Sequence, residues 1–330
     1  MIFIQKHSSI PKYKQIIASI ELALENGKLK RGDQIPSVNK ISTAFSLSRD
    51  TVLQGYNELK MRGVIRSVPG KGYYVKSQNT KVRQKVFLLF DELNAFKENL
   101  YNSFIAGLDN SIEVDIFFHH FNPEVFNDLI YNNAGNYNYY VIMPANISDT
   151  VIAINTLPKK QVYILDQFHE DLSEYSAIYQ NFKEDMYHFL NKVNSSIKKY
   201  KKFVFTYDKN KQPDDMLYAF QKFCTDFSME HEVIQTVNNH EIKKGTIYLI
   251  PDDRNLILII KKIKKTNFTI GKDIGIISYN ETLLKEIVDN GITTISTDFE
   301  FMGKRLAAMI QNKEKIQIKN PSSIIIRNSL

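Results

Sequence analysis

Short apolar runs recur along residues 85–330: KVFLLF at 85–90, VDIFFHH at 114–120, YYVIM at 139–143, QVYIL at 161–165, KFVFTY at 202–207, TIYLI at 246–250, IGIISY at 274–279 and TTIS at 293–296. Helical patterns fall between most of them, around 97–110, 182–198, 213–228, 253–265 and 281–290. This alternation constrains the fold more than any other feature. Strand and helix in turn predict parallel sheets covered on both faces, because each crossover lays its helix over the sheet. About 245 residues is enough for two small sheets. Ligands of such sheets bind at the carboxyl ends of the strands.

The first eighty residues have a different rhythm. Ile10-Pro11 opens a helical pattern with Ile16, Ile17, Ile20 and Leu24 on one face, and Gly27 is its expected stop. After the turn-rich LKRGDQIPS, Ser37 is placed to cap a short helix, VNKISTAF, and Ser46-Leu47-Ser48 forms a tight turn. A third helix follows in SRDTVLQGYNELKMRG, with Val52, Tyr56 and Leu59 on one face and Leu53 beside them. VIRSV and GYYV then read as two short strands joined by PGKG. Three helices and a hairpin in this order predict a winged helix-turn-helix of α+β class.

Charge divides at the same place. Residues 1–85 hold 16 Lys+Arg and 5 Asp+Glu, whereas residues 86–330 hold 27 and 31. A small basic module joined to a slightly acidic one points to a polyanionic partner for the first. In a winged helix-turn-helix the third helix enters the major groove. Arg49 at its start can fork onto guanine O6 and N7. Ser48 and Thr51 can bond phosphates beside the free N–H groups of the helix terminus. The wing tip, Gly70-Lys71-Gly72, carries one cation on a backbone able to approach a phosphate or the minor groove. The plain alternative is that Ser48 only caps and Arg49 is only solvated.

No Walker loop, glycine-rich dinucleotide turn or G-x-S-x-G elbow is present, so no catalytic residue and no cofactor is expected. His119-His120 falls in a strand pattern, which would point the two rings to opposite faces, and no metal site is expected. KKIKK at 261–265 reads as a solvated helix face. The single cysteine, Cys224, excludes an internal disulfide framework and reads as a small buried residue. No apolar run is long enough to span a membrane, and the opening MIFIQKHSSIPKYKQ lacks a signal-peptide layout. A cytoplasmic protein is the expectation.

The stretch LKRGDQIPSVNKISTAFSLSRDTVLQGYNELKMRGVIRSVPGKGYYV resembles the GntR-family DNA-binding domain. Gly32, Pro36-Ser37, Ser48-Arg49, Thr51-Val52, Leu59, Gly63 and the Gly-Lys-Gly wing carry the likeness. The resemblance implies DNA contacts from Ser37, Lys40, Ser48, Arg49, Asp50, Thr51, Gly70, Lys71 and Gly72. The family often has a phosphate-binding arginine where this chain has Asn39, and Lys40 is a substitute. It also often has an arginine at the position of Leu53.

KVFLLFDELNAFKENLYNSFIAGL and the stretch YLIPDDRNLILIIKKIKKTNFTIGKDIGIISYNETLLKEIVDNGITTISTDFEFMGKRLAAMI resemble LacI/GalR-type sensor domains. The implied fold is an α/β periplasmic-binding-protein-like domain of two parallel-sheet subdomains. In that family the residue matching Asp253 binds sugar hydroxyls, as a carboxylate accepting two bonds can. The implied effector set is Asp91, Asn94, Phe96, Asn181, Asp253 and Tyr279, with Gln180-Asn181 near the crossover. The family's usual sugar-binding arginine falls on Met216, beside Asp214 and Asp215.

Together these imply a DNA-binding domain over 1–77, a linker over 78–84 and an effector-binding, dimerising domain over 85–330. The arabinose-repressor subgroup has the same pairing. The expected function is a ligand-responsive repressor, binding double-stranded operator DNA as a homodimer and released by a monosaccharide. The alternatives are a sensor-like domain that only dimerises, or one that takes a non-sugar ligand. A fusion to a pyridoxal-phosphate enzyme domain would need a longer chain and a Schiff-base lysine motif.

Overall fold

The isoleucines at helical spacing near the N-terminus all turn inward: Ile16, Ile17 and Ile20 are buried with Leu24 on α1 (Lys12–Glu25). The computed structural model describes residues 2–5, 10–77 and 84–330. Ser37 caps α2 (Val38–Phe45), its Oγ accepting from Lys40 N at 3.2 Å. Ser48 caps α3 (Arg49–Met61) in the same way, accepting from Thr51 N at 3.2 Å. Val52, Tyr56 and Leu59 of α3 are fully buried against α1 and α2. β1 (Ile65–Val68) and β2 (Gly72–Val75) form the antiparallel wing. Gly70 and Gly72 at its tip take φ of 70° and 104°, which L side chains rarely adopt. Residues 33–35 bond to the wing, Ile35 N donating to Tyr73 O and Val75 N to Asp33 O. The expected helix, helix, helix, hairpin order is therefore present.

From Gln84 the chain builds a first half from β3 (Gln84–Phe90), α4 (Ala95–Gly107), β4 (Ile112–Phe118), α5 (Pro123–Asn133), β5 (Tyr139–Ile142), α6 (Thr150–Ile154), β6 (Val162–Asp166) and β7 (Ser176–Tyr179). A second half follows: α7 (Phe182–Lys192), α8 (Asn194–Ile197), β8 (Lys202–Thr206), α9 (Asp214–Asp226), β9 (Glu230–Ile234), β10 (Thr246–Ile250), α10 (Asp253–Ile263), β11 (Ile274–Tyr279), α11 (Leu283–Ile287) and β12 (Thr293–Thr297). α12 (Phe299–Gln311) and β13 (Gln317–Lys319) return to the first half, and β14 (Ser322–Ile325) ends in the second. The sheet orders are β13-β7-β6-β5-β3-β4 and β14-β12-β11-β10-β8-β9. Every pairing is parallel except β12 with β14.

The apolar runs occupy central strands buried on both faces. In β3, Val86, Leu88 and Phe90 pack under α4 and α12, while Phe87 and Leu89 face the opposite layer with Phe126 and Ile130 of α5. All five residues of β10 are buried. Cys224 is buried as expected, and burial pushes its thiol up to about 12. The histidine pair departs from expectation. β4 ends at Phe118, and the positive φ of His120 (50°) and Phe121 (58°) turns the chain away. His119 is buried beyond the strand and His120 is exposed. Of the expected linker 78–84, Gln84 is the first residue of β3 and the remainder lies outside the described residues. Among the described residues no helix is long and apolar enough to cross a membrane.

α4 and α12 touch backbone to backbone. A Cβ on Gly303 would lie 2.5 Å from Leu100 O and 2.8 Å from Phe104 N. An alanine in a helix interior ordinarily stabilises by about 1 kcal/mol over glycine. Here the sign is expected to reverse, because overpacking costs about 1–3 kcal/mol. Urea unfolding of Gly303→Ala checks this. A midpoint at or above that of the wild type would show that the helices part freely.

Candidate functional site

The DNA-facing candidates sit at one end of the winged domain. Ser46, with φ of 52°, ends α2, and Leu47 N closes the turn onto Ser42 O. Ser48 Oγ also lies 2.8 Å from Thr51 Oγ1, so both hydroxyls organise the first turn of α3. Arg49 and Asp50 project from that turn into solvent. Lys40 is exposed on α2 and Lys71 at the wing tip. The side chains of Lys40, Arg49 and Lys71 make no ion pair with any described residue, so their charge is available to phosphates or base edges. Asp50 repels phosphate, but a carboxylate there can accept from cytosine N4. Arg66, exposed on β1, is a further cation that the sequence reading did not select.

The second site lies between the two sheets, where the carboxyl ends of their strands meet in a cleft of about 290 Å³. The first half contributes Asp91 after β3, Asn94, Phe96 and Lys97 at the start of α4, Asp166 and Gln167 at the end of β6, and Gln180 after β7. Phe182 enters on the crossover. The second half supplies Lys211, Pro213 and Met216 around the start of α9, Asp252 and Asp253 after β10, and Tyr279 and Asn280 at the end of β11. The structure thus brings Asp91, Asn94, Phe96, Asp253 and Tyr279 together. Asn181 is not among the lining residues. It is the N-cap of α7, its Oδ1 accepting from Glu184 N and its Nδ2 donating to Glu184 Oε2 at 2.7 Å. Its neighbour Gln180 takes the cleft position instead.

Several lining groups are paired. Lys97 Nζ is buried on Asp91 Oδ1, which also accepts from Glu92 N. Lys211 Nζ reaches across the cleft to Glu92 Oε2 at 3.0 Å. Asp253 Oδ1 lies 3.1 Å from buried Lys285 Nζ, which also donates to Tyr279 O and Asn280 O. Burial lowers the Lys285 pKa against the pull of Asp253. Asp252 caps α10, accepting from Asn255 N at 2.8 Å and Asn255 Nδ2 at 2.9 Å. Asp166 accepts from Gln180 Nε2 at 2.5 Å, and burial raises its carboxyl above the usual range. Lys97, Asp166 and Asp252 were not singled out from sequence. Among the described residues no group of three or more His, Cys, Asp or Glu has metal-holding geometry.

A family model described as bacterial regulatory proteins, gntR family, matches residues 12–75, and a periplasmic binding protein-like domain model matches residues 198–330. The HTH-type transcriptional repressor YtrA of Bacillus subtilis (strain 168) is 32% identical over 111 residues, which is 33% of this chain and 83% of YtrA. The chain belongs to the gntR family of bacterial regulatory proteins. This gntR-family regulator is also 33% identical over 76 residues to the arabinose metabolism transcriptional repressor of Geobacillus stearothermophilus, covering 23% of this chain but only 21% of that one. Its fold is similar to a lac repressor crystal structure bound to ONPG, with a TM-score of 0.64 and 15% identity over 88% of this chain and 94% of that one. A gntR-type DNA-binding domain and a two-sheet periplasmic-binding-protein-like domain are therefore joined in one DNA-binding transcriptional regulator.

His119 lies beneath the cleft, behind Asp91. Its Nε2 donates to Met143 O at 3.1 Å, and burial pulls the ring's pKa down to about 4. The unfolded chain returns to the ordinary imidazole value near 6.5 and binds a proton that the folded state refuses. The associated stability is present above pH 6.5 and is lost as pH falls toward about 4. His119→Gln is expected to flatten this loss by up to about 3 kcal/mol. Thermal unfolding at pH 7, 6, 5 and 4 provides the comparison, and parallel profiles for the two proteins would contradict it.

Proposed function

We propose that this regulator is a cytoplasmic repressor that binds operator DNA as a homodimer and is released when a small sugar-like molecule closes the cleft. The observation that carries the reading is the cleft itself. The carboxyl ends of two parallel sheets converge on buried polar side chains, in the same chain as a winged helix with free cations. The repressor names of YtrA and of the arabinose metabolism repressor support the sign of the response and the carbohydrate class. We take 1–77, 78–84 and 85–330 as the DNA-binding, linking and effector-binding segments. A second reading, in which the larger domain only dimerises, draws on buried Met216 lining the cleft where a ligand-holding arginine is expected.

Arg49, Ser48, Thr51 and the Gly70-Lys71-Gly72 tip are the proposed DNA contacts, supported by Ser37, Lys40 and Asp50. A protein selecting sites from random duplex DNA is expected to return a near-palindrome. Arg49→Ala is expected to weaken that site by about 1–3 kcal/mol and relax one base step. Lys71→Ala is expected to weaken all sequences alike and lower the salt slope by about 1. Fluorescence anisotropy across salt concentrations separates the two effects. Unchanged affinity in both variants would rule out this face. Stronger operator binding at saturating ligand would reverse the sign of the response.

The second copy is proposed to meet α11, where Leu283 and Ile287 are 82% and 76% exposed. The double substitution Leu283→Glu with Ile287→Glu is expected to turn the dimer into a monomer by light scattering. A dimer of unchanged mass would place the contact elsewhere.

A further inference from the structure

The cleft is rich in carboxylates and short of free positive charge. Its lining holds five carboxylates, two lysines and no arginine. Lys97 is engaged by Asp91 and Lys211 by Glu92. Asp253 is matched by Lys285, and both oxygens of Asp252 serve the cap of α10. Asp166 is left 5% exposed with no ion pair to any described residue.

Gln180 makes the same point independently. It is 6% exposed, and its Nε2 is committed to Asp166. With Asp166 ionised, that bond sets the amide orientation, because the reverse would place carbonyl against carboxylate. Gln180 Oε1 is therefore an acceptor, buried and without a partner among the described residues. Asn280 Oδ1, also on the lining, is another. An unpaired buried acceptor costs about 1–3 kcal/mol, which a ligand donor recovers. Hydroxyls bring donors and acceptors together, whereas an ammonium brings three donors, a positive charge and no acceptor. A phosphate or carboxylate brings acceptors and negative charge to a site already rich in both.

We infer that the effector is a small polyol carrying a protonated amine, the amine held by Asp166 and Gln180 Oε1 and the hydroxyls by Asp253 and Asn280. This rests on the cleft being the effector site of the proposed repressor and adds the charge class of its ligand. Phe96 and Phe182 flank the same space with apolar rings suited to the carbon skeleton.

The test uses the full chain and matched probes: D-glucosamine, D-glucose and D-glucose 6-phosphate, with the corresponding galactose series. Calorimetry is expected to show the amino sugar of at least one series binding at least tenfold tighter than its neutral parent, and no binding of the phosphate. Asp166→Asn is expected to erase that preference, bringing the amino sugar's affinity to within about twofold of its neutral parent's. Asp253→Asn is expected to weaken both, and a cooperative thermal transition of Asp166→Asn without sugar shows that the first variant is folded. Equal or tighter binding of a neutral sugar or a phosphate overturns the charge assignment. If that sugar also releases operator DNA, the repressor reading survives its loss. No binding by any probe overturns the inference, and operator release by other small molecules then decides the repressor reading separately.

Discussion

Parallel strand direction is the constraint from which the larger domain's arrangement follows. Every parallel strand delivers its carboxyl end to the same sheet edge, and the two sheets set those edges against each other across one cleft. All three chain crossings are made there: from Tyr179 to Phe182, from Thr297 to Phe299 and from Lys319 to Ser322. The third explains the lone antiparallel pairing. β14 enters its sheet directly from the cleft edge, so it must run opposite to the strands that end there. Buried Asn320 ties two crossings together, its Nδ2 donating to Thr297 Oγ1 at 2.7 Å and Asp298 O at 2.9 Å.

Charge placement in the cleft follows from burial. Lys97 stands in the first turn of α4, where the helix dipole disfavours a cation. Asp91 makes that position tenable, and the pair is desolvated on both sides. Removing one partner of such a pair is costly even where the pair as a whole contributes little. Lys97 is therefore part of the cleft floor and is not a free anion receptor. The cross-cleft pair of Lys211 with Glu92 is different, with both side chains at least a third exposed. An exposed pair of this kind contributes at most about 1 kcal/mol, so it holds the halves together weakly.

The sequence made the central strands and the winged domain legible because their residues answer to one neighbour each. Short continuous apolar runs rich in β-branched and aromatic residues read as doubly buried strands, and Ser37 and Ser48 announce their helices locally. The short strands β7, β9, β13 and β14 carried no such signal. EHEVI at β9 is largely exposed at a sheet edge, and QIK at β13 is a strand only because β7 lies beside it. α5 was readable in principle from Asn122-Pro123, a cap followed by proline at the first helical position. In the cleft, Asp91, Asn94, Phe96, Asp253 and Tyr279 were accessible through the family resemblance, which places them at or just after strand ends or at helix starts. Asp166 and Lys97 were not, since their roles depend on Gln180 and Asp91 arriving from elsewhere. The choice between Gln180 and Asn181 turned on a single residue: the first still follows β7 into the cleft, and the second caps the next helix.

Asp253 links the cleft to the outer surface. Its carboxylate lines the cleft and holds Lys285, whose ammonium also anchors the carbonyls of Tyr279 and Asn280. Lys285 sits on α11, the helix that exposes Leu283 and Ile287. A ligand that draws on Asp253 competes with a buried lysine for the same oxygens, and Lys285 has no other carboxylate within ion-pair distance among the described residues. On the repressor reading, the free energy of that competition is available to shift α11 and the copy packed against it. Only the difference in ligand affinity between the two arrangements counts, and coupling of this kind is typically about 1–3 kcal/mol. With the Asp253 side chain half-exposed, solvent screens its share of that competition, which places the coupling toward the lower end of that range.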